Sequence, residues 1–213
     1  MTDIFDPNQY KEVKIEINQN KMSKGDELNL AAKDPTLQRI HIGVGWDQNQ
    51  FDTEPLDMDI SCFMLDRKGK TRVNEDFVFY NNYEGSDKAV IHGGDNRSGA
   101  GDGDDESMLV HLPFVHFDIV QLMFVLSIYK GEEKGQGLKK MRNAYFRLVN
   151  SDTNIEIVRY DLMKDTEERD ETAMLVGVLN REGPKWHFVA LGECIEGGLQ
   201  KIAEGYDIIV GSA

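Results

Sequence analysis

Apolar residues recur along the chain in short segments that are separated by turn-forming residues. Many of these segments are rich in β-branched and aromatic side chains, and "EVKIEIN" alternates with a period of two, as a half-buried strand does. This pattern predicts strands at 12–18, 39–46, 56–65, 76–80, 89–92, 108–117 and 119–129. Two hairpins follow, one around "SDT" between "YFRLVN" and "IEIVRYDL", and one around residues 180–184.

Helical spacing of apolar residues is convincing at residues 197–206, "GGLQKIAEGY". Many short strands without intervening helices favour an all-β fold, an antiparallel β-sandwich with a short C-terminal helix. We find no internal repeat and no linker, and we interpret the glycine-rich segment 130–140 as a loop between strands. The sequence therefore predicts a single domain over residues 1–213, with residues 1–11 flexible.

An acidic, glycine-rich stretch, "GGDNRSGAGDGDDE", occupies residues 93–106 and follows a predicted strand. The simplest interpretation is a solvated surface loop. A phosphate-binding loop is excluded, because the carboxylates would repel phosphate and the "GKT" at 69–71 lacks the glycine five residues earlier. An EF-hand is excluded as well, since the spacing of Asp95 and Glu106 fits but Arg97, Gly99 and Ala100 occupy positions that require other residues.

A calcium site outside the EF-hand class explains the composition of this stretch better. Calcium binds six to eight hard oxygens in flexible geometry, and glycines allow backbone carbonyls to reach the same ion. Without a cation, carboxylates about 4 Å apart repel each other by about 1 kcal/mol per pair even in water. The candidate ligands in the stretch are the side chains of Asp95, Asn96, Asp102, Asp104, Asp105 and Glu106 and the carbonyls of Gly99 and Gly101.

A second acidic cluster lies in the predicted strand "LDMDIS". Asp57, Asp59 and Ser61 alternate with the apolar residues Met58, Ile60 and Cys62, so the acidic residues share one face of the strand. We expect this face to meet the acidic loop at the end of the sheet, unless it is simply an exposed edge. Asp47, Asp161 and Glu171 are further acidic candidates whose part in a metal site the pattern leaves open.

Charge and cysteine content narrow the class of protein. The chain has 24 Lys and Arg against 38 Asp and Glu, a net charge of -14 that repels nucleic acid and anionic lipid. No apolar run is long enough to span a membrane, and the N-terminus lacks the pattern of a signal peptide. Cys62 and Cys194 lie in apolar surroundings, which favours reduced, buried thiols whose role stays open. We therefore expect a cytoplasmic protein.

Several motifs together resemble the TerD family of tellurite-resistance and general stress proteins. They occur in the family's order along nearly the whole chain: "GVGWD", "LDMDIS", "DFVFYNN", "IHGGDNRSGAGDGDDE", "RYDL" and "ETAM". Two departures are Ile60 in place of the usual alanine and Lys164 in place of the usual acidic residue. By matching residues, the resemblance implies calcium ligands at Asp57, Asp59, Asp95, Asn96, Asp102, Asp104, Asp105 and Glu106.

The resemblance also implies a β-sandwich in the cytoplasm, resistance to tellurium oxyanions and other stresses, and partner proteins of the same resistance system, one of them membrane-bound. It implies no established enzymatic activity and no catalytic residue. We expect two calcium ions, bound in preference to magnesium, and a non-catalytic protein that docks partners through a metal-ordered acidic surface. The alternatives are a calcium-dependent enzyme acting on a phosphorylated substrate and, less favoured by the charge, direct sequestration of an oxyanion.

Overall fold

The computed structural model describes residues 20–47, 54–94 and 103–208, and these form twelve strands. The strands are β1 (Lys21–Met22), β2 (Glu27–Asn29), β3 (Arg39–Gly45), β4 (Met58–Leu65), β5 (Phe77–Val78), β6 (Val90–His92), β7 (Glu106–His111), β8 (Gln121–Ile128), β9 (Tyr145–Asn150), β10 (Ile155–Asp161), β11 (Ala173–Glu182) and β12 (Lys185–Ile195). The helices are α1 (Leu30–Lys33), α2 (Met163–Thr166) and α3 (Gly198–Gly205).

The strands are arranged in two six-stranded sheets. The first sheet has the order β1-β10-β9-β3-β7-β6, and the second has the order β2-β12-β11-β8-β4-β5. Only the pairing of β1 with β10 is parallel among the strand pairs described. The predicted all-β, predominantly antiparallel sandwich with a short C-terminal helix is therefore confirmed.

The alternating pattern of β4 places its residues on two different apolar surfaces. Met58, Ile60, Cys62 and Met64 face the other sheet and belong to the main core. The residues between them, Asp59, Ser61, Phe63 and Leu65, face the outer side, where Phe63 and Leu65 pack in a second apolar cluster with Ile202 and Ala203 of α3. Helix α3 therefore covers part of the outer surface of the second sheet.

Most predicted strands are confirmed, and the differences have local causes. The strand predicted at 108–117 ends at His111, and a 3-10 turn, Leu112–Phe114, follows, because Pro113 has no N–H to donate to a strand partner. The sequence pattern missed α1 and α2, which are single turns. Asn29 caps α1 by accepting a hydrogen bond from Ala32 N–H at 3.1 Å.

Two predictions concern residues that the structure does not describe. The strand at 12–18 and the flexible segment 1–11 both lie outside the described residues. Within the described part of the chain, no helix has the length and apolar character needed to cross a lipid bilayer.

Candidate functional site

Asp104 lies on the outer surface of the first sheet, where three side chains bind its carboxylate. Arg147 donates two hydrogen bonds, from Nε to Oδ1 at 2.8 Å and from Nη2 to Oδ2 at 2.9 Å. His41 Nε2 lies 2.9 Å from Oδ2, and the Tyr145 hydroxyl donates to Oδ1 at 3.0 Å. A Cβ atom on Gly43 would lie 2.1 Å from Oδ2, so this close approach to β3 requires glycine.

The charge on Asp104 is strongly favoured by this environment. Burial acts to raise the pKa of Asp104, but the hydrogen bonds from His41 and Arg147 outweigh it and lower the pKa from 3.8 to about 2. The same pairing raises the pKa of Arg147, and burial together with the Asp104 charge raises the pKa of Tyr145. At neutral pH the contact is an ionised, bidentate arginine–carboxylate pair.

Two hydrogen bonds attach Asp105 to the backbone at the end of β3. Its N–H donates to the Val44 carbonyl, and its carboxylate accepts from Trp46 N–H, both at 2.8 Å. Burial raises the pKa of Asp105, the hydrogen bond from Trp46 N–H offsets part of this effect, and the negative charges of Asp104 and Asp47 raise the pKa further. We call Asp47, Asp104 and Asp105, which meet where β3 ends and β7 begins, the acidic corner.

Glu106 faces the interior of the sandwich and is only 1% exposed. Its Oε2 lies 3.5 Å from His92 Nε2. His92 Nδ1 accepts from Gly94 N–H at 3.1 Å, which places the ring proton on Nε2, and this nitrogen donates to the Ile60 carbonyl at 3.2 Å. His92 thus connects the end of β6 with β4 in the opposite sheet, beside the Glu106 carboxylate.

Asp59 lies in a different part of the molecule from Asp104. It is 4% exposed and faces the outer side of the second sheet, opposite Ser127 of β8. There it lines a cavity of about 740 Å³ between the sheet and α3, together with Tyr80, Thr172 and other residues. Asp59 and Asp104 therefore lie on the outer surfaces of opposite sheets, and the structure does not bring these two carboxylates together.

The remaining candidates are placed as follows. Asp57 precedes β4 and is partly buried, and its carbonyl accepts from Tyr129 N–H at 2.8 Å. Asp161 accepts from Met163 N–H at 3.0 Å, and Glu171 lies 3.6 Å from Arg169. Asp95, Asn96, Gly99, Gly101 and Asp102 lie outside the described residues.

These positions limit what the described residues can bind by themselves. Within residues 20–47, 54–94 and 103–208, no three His, Cys, Asp or Glu side chains are arranged to hold a metal ion. A metal site at the acidic corner would therefore need ligands from outside these ranges, and the predicted ligands at 95–102 are the candidates. Asp104, Asp105 and Glu106, which follow residues 95–102 in the sequence, are the nearest described carboxylates on that side.

Sequence reasoning missed the residues that contact Asp104 and Glu106 in the structure, which are His41, His92, Tyr145 and Arg147. The only available signal was that His41 and Arg147 occupy positions with outward-facing polar side chains in predicted strands. Nothing local indicates that these strands are neighbours. Their pairing in the first sheet decides the contact.

Comparison with known proteins agrees with the motifs and the fold. The family model described as the TerD domain matches residues 19–206. The chain belongs to the TerD family.

Curated members of the TerD family resemble the chain over most of its length. General stress protein 16U of Bacillus subtilis is 41% identical over 191 residues, which is 89% of this chain and 98% of that protein. Tellurium resistance protein TerD of Serratia marcescens is 40% identical over 187 residues, or 88% of this chain and 96% of that protein. Family membership thus places this chain among tellurium-resistance and general stress proteins.

The TerD fold is also recognisable among solved structures. A homologue of the telluride resistance protein TerD from Streptomyces coelicolor superimposes with a TM-score of 0.65 at 17% identity. The superposition covers 78% of this chain and 95% of the other. At 17% identity this similarity shows the fold alone, and it agrees with a β-rich sandwich.

Proposed function

We propose that this TerD protein is a calcium-binding, non-catalytic stress-response protein of the tellurium-resistance type that acts in the cytoplasm. In this proposal it docks partner proteins of the same resistance system, including a membrane-bound one, through a surface that calcium orders. It neither binds nucleic acid nor inserts into a membrane. The proposal rests on the acidic corner, where negative charges accumulate beside an acidic segment.

The observation that carries the proposal is the environment of Asp105. Its carboxylate is buried close to Asp47 and Asp104, and both neighbouring charges disfavour its ionisation. Arg147 pairs with Asp104, whereas the Asp105 carboxylate accepts a hydrogen bond from the backbone N–H of Trp46. A divalent cation would relieve this repulsion, and calcium suits carboxylate and carbonyl oxygens in irregular geometry better than magnesium does.

The described ligands of such a site would be Asp105 and Glu106, completed by the side chains and carbonyls of residues 95–102. Asp104 could join only by exchanging part of its pairing with Arg147 for the ion, since Arg147 occupies both carboxylate oxygens. Asp59, which lines the cavity beside α3, and Asp57, two residues before it in the sequence, are the described candidates for a second ion. Bound calcium would supply positive charge that neutralises these carboxylates.

The direct test is a calorimetric titration of the full chain, after treatment with a chelator, with calcium and separately with magnesium. We expect two calcium ions per chain and weaker binding of magnesium. Asp105→Asn keeps an acceptor for Trp46 N–H but removes one charge, so it should weaken the affinity of one calcium site by about tenfold, or about 1.4 kcal/mol.

Asp118→Asn is the matched control, because Asp118 is an exposed carboxylate in the connection between β7 and β8. This variant should bind calcium as the parent does. A titration without saturable calcium binding, or equal losses in the two variants, would contradict the proposed site. Circular dichroism of both variants would show that the sandwich is intact.

A further inference from the structure

A cavity at one edge of the first sheet carries the opposite charge from the rest of the molecule. It has a volume of about 630 Å³ and lies between β1, the start of β9, β10 and α2. Ala144 and Tyr160 are its buried lining residues, and Met22 and Met163 add partly buried apolar surface. We call it the basic cavity, because its lining includes Lys21, Lys24, Arg159 and Lys164.

The charge balance of this lining differs from that of the whole chain. Four of the chain's 24 basic residues line the basic cavity, against two acidic ones, Asp161 and Asp165, in a chain with a net charge of -14. Both carboxylates are already engaged within the protein. Asp161 accepts from Met163 N–H at 3.0 Å, and Asp165 accepts from the Tyr160 hydroxyl at 2.5 Å.

The cations, by contrast, keep many donors available. Among the described residues Lys21 and Lys164 form no ion pair. Lys24 uses one of its three protons for the Gly192 carbonyl at 2.9 Å. Like charges around one concave surface repel each other, and an anion bound between them would relieve that repulsion.

Among the basic residues of the cavity, Arg159 has a side chain that is held in a defined orientation. Its guanidinium carbon lies 3.8 Å from the centre of the Tyr145 ring, and its Nη1 donates to Glu156 Oε2 at 3.0 Å. These two contacts hold the planar guanidinium in place while the other nitrogens keep donors for a ligand. An oriented arginine with flexible lysines around it is an arrangement that suits phosphate groups.

We infer that the basic cavity binds a small phosphate-bearing anion. Its volume fits a small molecule, and the negative field of the rest of the surface disfavours polyanions such as nucleic acid or an anionic membrane. Phosphate recognition would rest on Lys21, Arg159 and Lys164, and the methionine and tyrosine surface would contact an apolar or planar part of the ligand. The basic cavity adjoins the acidic corner through Asn143 and Tyr145, which donate to Asp47 and Asp104, but its phosphate-binding residues differ from the proposed calcium ligands.

The test is a titration of the full chain with inorganic phosphate and, in parallel, with phenyl phosphate, at constant ionic strength set by chloride. We expect saturable binding of both, with tighter binding of phenyl phosphate if the natural ligand is a phosphate ester. Equal affinities for the two probes would show that the site recognises the phosphate group alone. No saturable binding of either probe would overturn the inference.

Variants locate the site. Lys21→Gln and Lys164→Gln each remove one exposed charge from the rim and should weaken phosphate binding about fivefold, as expected for one unit charge near 4 Å in water. Lys33→Gln is the matched control, because Lys33 is an exposed lysine of α1 that does not line the cavity. Equal weakening in all three variants would show general charge attraction only and would also overturn the inference.

Discussion

The ion pair between Arg147 and Asp104 gives a prediction whose size follows from the structure. Arg147→Met keeps most of the side-chain volume but removes both hydrogen bonds to the carboxylate. The displacement of the Asp104 pKa from 3.8 to about 2 corresponds to about 2 kcal/mol, at about 1.4 kcal/mol per pH unit. Arg147 supplies part of this displacement, and His41 and Tyr145 supply the rest, so we expect a loss of up to about 2 kcal/mol in the free energy of unfolding at pH 7 and a melting temperature lower by up to about 8 °C.

The dependence on pH has a definite sign. The pKa of Asp104 is lower in the folded protein than in the unfolded chain, so its stabilisation is complete above about pH 4. It disappears as the pH falls through the folded value of about 2. The stability difference between the parent and Arg147→Met should therefore be constant from pH 7 to about pH 4 and should narrow below that.

Urea unfolding followed by circular dichroism, repeated from pH 7 down to the lowest pH at which the parent remains folded, measures this difference. Arg39→Met is the matched control, since the Arg39–Asp152 pair is exposed, with 49% and 40% of the two side chains accessible. Such a pair contributes about 0–1 kcal/mol. The reasoning is refuted if Arg147→Met costs no more than Arg39→Met, or if its cost does not change below pH 4.

Two further predictions concern the same region. At a calcium concentration one hundred times the dissociation constant, binding to the native state alone adds about 2.7 kcal/mol to the free energy of unfolding. The melting temperature should therefore rise by about 5–11 °C relative to chelator-treated protein. Identical melting curves with and without calcium would argue against the calcium site. Gly43→Ala should destabilise the protein by about 2 kcal/mol, because its Cβ would displace the Asp104 carboxylate from Arg147. Gly205→Ala, which meets nothing within 4 Å at the end of α3, should be neutral or stabilising in the same unfolding experiment.

Local sequence determined much of the architecture of this protein. The alternation in β4 was sufficient to place Met58 and Ile60 in the core and Asp59 on the other face, because side chains of a strand point to opposite sides in turn. The hairpin of β9 and β10 was predictable for the same reason, with a turn sequence between two alternating segments. The amphipathic spacing of α3 likewise sufficed to predict a helix there.

The tertiary structure decided which groups meet at the acidic corner. Arg147 and His41 are 43 and 63 residues from Asp104 along the chain, and they reach its carboxylate only because β7, β3 and β9 are neighbours in one sheet. Sheet order depends on non-local pairing, which no local pattern specifies. The same order places Asp59 in the opposite sheet from Asp104, although their two acidic motifs were expected from the sequence to meet.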